Sequence, residues 1–280
     1  MSEVKISAKD VAELRKLTGA GMMDCKKALV EANGDMEAAQ DILRKKGQKL
    51  SAKRADRDAN EGVVIAQTSA DGSKGIVVHL SCETDFVAKN EDFIKLAQSF
   101  ADLALDQFPA DLDALKALSY DDELSVGEKV TEQVGVIGEK LELSNYQRLE
   151  AALVVPYIHA GYRRGVLVGF SKAGDFVEAG KGVAMQVAAM SPVAVDKGDV
   201  DESVVQKEIE IGKEQARNEG KPEAILEKIA MGKLNKFFKE NTLLNQEYVR
   251  GENKETVGAY LKGIDSELTV TAFHHVALGG

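Results

Sequence analysis

The sequence predicts an α+β protein, and three observations carry that prediction: a helical N-terminal segment, an internal duplication of strand patterns, and one strongly helical insertion in the second copy. The duplication is the most informative. Residues 75–87, Gly-Ile-Val-Val-His-Leu-Ser-Cys-Glu-Thr-Asp-Phe-Val, align without gaps to 165–177, Gly-Val-Leu-Val-Gly-Phe-Ser-Lys-Ala-Gly-Asp-Phe-Val, with six of thirteen positions identical. The same offset of 90 pairs the preceding strand, Val63–Ile65 with Leu153–Val155, and the helices that start near Phe93 and Val183.

Taken in order, the first 47 residues read as a three-helix head. Ser7 and Asp10 form a capping pattern, with Val11, Leu14 and Leu17 at helical spacing behind it. Thr18-Gly19-Ala20-Gly21 breaks the helix. A second helix is expected from Asp24, burying Cys25, Ala28, Leu29 and Ala32. Asn33-Gly34 stops it, Asp35 caps a third, and Ala39, Ile42 and Leu43 complete a small core. Residues 48–61 are charged and almost free of apolar side chains, which reads as a linker with some helical character.

Core repeat 1 is expected over 62–150 and core repeat 2 over 151–280. Each has the order strand, strand, helix, strand, an antiparallel sheet with helices on one face. The third strands match at a larger offset, 127, pairing Leu141, Leu143 and Tyr146 with Leu268, Val270 and Phe273. The second repeat therefore carries extra residues. Their place is 201–238, where two helical arms flank Asn218-Glu219-Gly220-Lys221-Pro222, a Gly stop and a Pro restart. The expected structure is an antiparallel, coiled-coil-like hairpin in which Val204, Val205, Ile209 and Ile211 face Ile225, Ile229 and Leu234.

Composition narrows the function. The net charge is −10, but residues 1–60 hold thirteen Lys and Arg against ten Asp and Glu, so a mildly basic head sits on an acidic body. Such a balance argues against general nucleic-acid binding. No apolar run has the length of a membrane span, and the N-terminal residues carry no secretory or transit pattern. Cys25 and Cys82 alone form no disulfide framework, so a reducing, cytoplasmic location is expected.

Catalytic patterns fail on inspection. Gly180-Lys181-Gly182 lacks the upstream Gly and the following Ser or Thr of a phosphate loop. Gly19-Ala20-Gly21 joins two helices and has Asp24 where a dinucleotide fingerprint needs its third glycine. His79, His159, His274 and His275 include no helical i, i+4 metal pair. No cofactor, no bound nucleotide and no catalytic metal are expected. What stands out is Thr84-Asp85-Phe86-Val87 after the second strand, where Phe86 alone reads as core and its counterpart Phe176 supports that reading.

Two long motifs change the picture. Leu14-Arg15-Lys16-Leu17-Thr18-Gly19-Ala20-Gly21-Met22-Met23-Asp24-Cys25-Lys26-Lys27-Ala28-Leu29 and Glu83-Thr84-Asp85-Phe86-Val87-Ala88-Lys89-Asn90 resemble the two signatures of the elongation factor Ts family. The resemblance runs along the whole chain. It implies a ubiquitin-associated-like head and guanine-nucleotide exchange on the GTPase elongation factor Tu, rather than an enzymatic reaction. It also implies that Thr84, Asp85, Phe86 and Val87 enter the partner beside its magnesium site, with Phe86 as an apolar wedge and Asp85 displacing groups that hold the ion. By the same resemblance Arg15, Met22, Met23, His159 and Val249 contact the partner. Arg250, beside Val249, departs from the apolar residue of some members. Asp175 and Phe176 are expected to be structural. An adaptor or dimerisation platform without exchange activity is the alternative, and a homodimer or a 2:2 complex stays open.

Overall fold

The computed structural model describes residues 6–251 and 254–279, and it is mixed helix and sheet. Three helices come first: α1 (Ala8–Thr18), α2 (Met22–Glu31) and α3 (Met36–Arg54). Then follow β1 (Glu61–Thr68), β2 (Lys74–Cys82), the single turn α4 (Asp85–Ala88), α5 (Glu91–Gln107), α6 (Leu112–Ala117), α7 (Val126–Ile137) and β3 (Leu141–Glu150). The second half runs β4 (Leu153–His159), β5 (Arg164–Phe170), α8 (Val177–Met190), α9 (Glu202–Asn218), α10 (Glu223–Asn241), α11 (Val257–Ile264) and β6 (Val270–Ala277). Two three-stranded sheets result, in the orders β1-β2-β3 and β4-β5-β6. The β4–β5 pair is antiparallel, with Leu153 opposite Phe170 and His159 opposite Arg164. Both offsets found in the sequence thus reappear as equivalent strands and helices, including α7 with α11.

By density of contacts the chain divides into two units, one comprising the residues up to Ile65 with Val78–Gln147 and the residues from Ala277 on, the other Ala66–Val77 with Arg148–Val276. In the first unit, the head has its own small core of Val11, Leu14, Ala20, Cys25, Ala28, Leu29 and Ala39, with Ile42 and Leu43 packed against it. The Ser7–Asp10 capping box starts α1 and Gly19 ends it in the left-handed conformation. Leu17 departs from expectation, being 59% exposed. Thr18 turns inward in its place, donating its hydroxyl to the Leu14 carbonyl at 2.8 Å and accepting from the Ala20 amide. Helix α2 begins at Met22, two residues before Asp24, because Gly21 serves as its N-cap.

Helix α3 continues through the first part of the expected linker to Arg54. Its partner there is α7. A Cβ added to Gly135 would lie 2.8 Å from the Gly47 Cα, so the two backbones meet where neither carries a side chain. Arg44 of α3 reaches Glu123, ahead of α7, at 2.8 Å.

In the second unit, α8, α11 and the β4-β5-β6 sheet enclose one core that includes Val155, Val168, Phe170, Val183, Val187, Leu261, Leu268 and Val270. Between α8 and α11 lie α9 and α10, the expected hairpin. Its seam keeps Leu234 from the sequence reading and otherwise differs from it. Gly212 and Ala216 of α9 and Leu226, Ala230 and Leu234 of α10 are buried, whereas Ile225 is exposed. A Cβ on Gly212 would sit 3.0 Å from the Ala230 Cα, so small residues set this approach, while Val204, Val205, Ile209 and Ile211 are only half-buried. No helix among the described residues is long and apolar enough to cross a membrane.

Candidate functional site

The Thr84–Val87 segment forms most of an isolated helical turn. Thr84 is the N-cap of α4, in extended conformation, and its hydroxyl oxygen accepts from the Val87 amide. Asn90 then caps α5, so the chain stops one helix and starts the next within a few residues. On this turn Phe86 is 84% exposed, the most exposed large apolar side chain among the described residues. Phe86 is therefore not core, although its type and its counterpart in the second repeat both suggest burial. Asp85 pairs with Lys89 at 2.6 Å, and that ammonium holds its carboxyl below the usual range.

Three segments brace the turn. Glu139 accepts from the Thr84 amide at 3.0 Å and from the Thr84 hydroxyl at 2.7 Å. One residue to either side, the pattern reverses: the Lys140 amide donates to Glu83 at 2.6 Å. Arg54 and Arg57, at and beyond the end of α3, also reach Glu83, at 2.5 and 3.0 Å. The Lys140 ammonium in turn caps the Ala55 and Arg57 carbonyls. Burial pulls the Glu83 carboxyl upward, but the Lys140 amide and the two guanidiniums overcome it and hold it at about 2. Beneath the turn, the Cys82 thiol donates to the Thr84 carbonyl. Burial, then the Glu139 charge, push that thiol to about 12, so it is an inert packing group.

The equivalent stretch of the second repeat is built differently. Gly174 stands where the first repeat has Thr84, Ala173 where it has Glu83, and Ser266 where it has Glu139. A Cβ on Gly174 would strike the Phe176 ring at 2.5 Å, so the ring lies over its own backbone. Phe176 is partly buried against the core of its unit and leads directly into α8. Lys172 ties this loop down through Asp265 at 2.8 Å and Glu267 at 3.3 Å.

The other expected contact residues fall on separate elements. Arg15, Met22 and Met23 line one groove of the head together with Ile6, Val11 and Lys26. Both methionines are exposed. His159 is the last residue of β4 rather than part of the following loop, and its Nδ1 lies 2.8 Å from the Tyr157 hydroxyl. Val249 is exposed just beyond the short helical turn Leu243–Asn245. Its amide donates to Gln186, a fully buried side chain of α8 that also donates to Gln246 and to the Glu247 carbonyl. Tyr248 stacks on Tyr260 with ring centroids 4.3 Å apart, so Val249 is displayed from a rigid segment. Among the described residues, no three His, Cys, Asp or Glu side chains stand together as metal ligands.

Glu139, Lys140, Arg54, Arg57 and Gln186 escaped the sequence reading. Their partners lie 26 to 85 residues away, and no local pattern marks them. The positions at which the two repeats differ in charge are the one signal that points toward the first two.

A protein-family model described as elongation factor TS matches residues 83–280. A protein of Christiangramia forsetii named elongation factor Ts is 55% identical over 98% of this chain and 99% of its own. Proteins of the same name from Amoebophilus asiaticus and Cytophaga hutchinsonii are 53% and 52% identical over equal shares. The chain belongs to the elongation factor Ts family. That membership places it among the exchange factors of translation elongation. The family model begins at Glu83, within the braced turn, while the relatives named elongation factor Ts cover the head as well.

Proposed function

We propose that this chain is the guanine-nucleotide exchange factor of elongation factor Tu, and that α4 is the part inserted beside the partner's magnesium site. The observation that carries the reading is Phe86, a large apolar side chain held almost wholly in water on a capped and braced turn. An exposed aromatic on a rigid support loses little conformational freedom when it enters a pocket, which makes it an efficient binding anchor.

Exchange by this route needs no acid, base or metal from the factor. It needs stronger binding to the nucleotide-free partner than to the nucleotide-bound one, and by reciprocity that binding weakens GDP by the same factor. Phe86 supplies the wedge. Asp85, its charge kept on by Lys89, competes with the groups that hold the magnesium ion. Loss of the ion removes the largest positive charge from the phosphates, and GDP escapes. The head, a ubiquitin-associated-like domain on this reading, docks through Arg15, Met22 and Met23. His159 and Val249 make further contacts, and α9–α10 is a coiled-coil arm.

Stopped-flow release of a fluorescent GDP analogue from elongation factor Tu tests the proposal. A release rate that rises with added protein and saturates is expected. Binding without any acceleration would identify an adaptor instead.

A further inference from the structure

The braces around α4 are paired in a way that the second repeat lacks. Glu83 and Thr84 face Glu139 and Lys140 reciprocally: the Glu139 carboxylate holds Thr84, and the Glu83 carboxylate holds the Lys140 amide. A threonine hydroxyl has one proton, and it points to Glu139. Its lone pairs are thereby left for the Val87 amide, the bond that starts α4. Without Glu139 the hydroxyl is free to rotate, and α4 keeps the backbone bonds from the Ala88 amide to the Thr84 carbonyl at 3.2 Å and from the Lys89 amide to the Asp85 carbonyl at 3.0 Å but loses its N-cap, on which so short a helix depends. Where the clamp residues are replaced, by Ala173, Gly174 and Ser266, the equivalent phenylalanine lies against the core.

We propose that Glu139 is a positioning residue for exchange: by orienting the Thr84 hydroxyl it fixes the α4 turn so that Phe86 is presented outward. This rests on the exchange reading above. The clamp also has a defined anchor, because Arg54 and Arg57 join the end of α3 to Glu83. A head docked on the partner and the Phe86 turn then move as one body within this unit, and docking energy is delivered as placement of the wedge.

The experiment uses the full chain and compares Glu139→Ala, Thr84→Val and Thr84→Ser. Release of the fluorescent GDP analogue is followed over a range of factor concentrations, and backbone hydrogen exchange is measured over residues 84–89 of the free protein. Glu139→Ala and Thr84→Val are expected to lower the maximal release rate about tenfold, with a smaller change in the half-saturating concentration. Both should speed hydrogen exchange over the turn, whereas Thr84→Ser, which keeps the hydroxyl, retains wild-type hydrogen-exchange protection there. An unchanged maximal rate for Glu139→Ala, or a Thr84→Ser variant whose turn exchanges as fast as that of Thr84→Val in the free protein, overturns the positioning role while leaving the exchange reading intact. Absence of accelerated release by the unsubstituted chain overturns the exchange reading itself, and with it any part for the clamp. Thermal unfolding of each variant separates loss of the clamp from loss of the fold: equal midpoints with slower release support the proposal, and a drop in release that only tracks unfolding overturns it.

Discussion

The two repeats carry the same Asp-Phe-Val at the same place after an equivalent strand, yet one phenylalanine stands in water and the other lies on the core. The difference comes from the residues around it. Thr84 caps a separate turn and is held by Glu139, which turns Phe86 outward. Gly174 offers no side chain, so Phe176 folds back over it. A duplicated fold thus keeps its core in both copies and exposes one copy's loop by changing a cap and two charges.

The sharpest way to break this comparison is to truncate each ring. Phe86→Ala is expected to slow GDP release about thirtyfold or more, on the scale of a central aromatic hot spot, with an unchanged unfolding midpoint. Phe176→Ala should do the reverse, costing about 2–3 kcal/mol of stability in chemical denaturation while release per folded molecule is retained. If Phe86→Ala unfolds the chain, the contrast between the repeats is lost.

Acid sensitivity should also separate the repeats, because His79 and Glu83 have Gly169 and Ala173 as their counterparts. Burial drives the His79 imidazole down to about 4, so it folds neutral and its unfolded form takes up a proton first. Its contribution is complete above pH 6.5 and is lost as pH falls toward 4, by up to about 3 kcal/mol. Glu83, held at about 2, contributes fully above about pH 4.5 and loses its contribution as pH falls from there to 2. Denaturant midpoints measured across this range should fall in two stages. His79→Gln should flatten the upper stage, and Glu83→Gln the lower.

The smallest effect expected is at the helix crossing of the head. Gly135→Leu places a side chain against the Gly47 backbone and should cost about 2 kcal/mol. The equivalent position in α11 is Lys262, which is exposed, and Lys262→Ala should be nearly neutral in the same unfolding assay.

Much of the architecture was legible in the sequence. The Ser7 and Asp35 caps, the Gly19 stop and the Asn218–Pro222 break are local devices, each acting within one turn of helix, and each is found where the residues predicted it. The duplication and both its offsets survive folding because strand alternation and helical spacing are also local. The two helical arms were legible in the same way, but of their seam only Leu234 was. Val204 and Ile209 are the obvious apolar choices, yet close approach of two backbones favours Gly212, Ala216 and Ala230, whose merit is that they are small.

Residue order alone thus determined the mixture of helix and sheet, the recurring strand patterns and the helical stretches on either side of residues 218–222, together with the motifs that carry the family resemblance. It left open which aromatic is displayed, where the head's third helix rests and what holds the Thr84 turn. Those outcomes depend on contacts between residues far apart in the chain, Thr84 with Glu139 across 55 positions and Glu83 with Lys140 across 57. Hydropathy and capping describe a residue and its immediate neighbours. Exposure of Phe86 is a property of what Glu139 does to Thr84, and that relation exists only once α7 has folded back and Gly138 has ended it in the left-handed conformation.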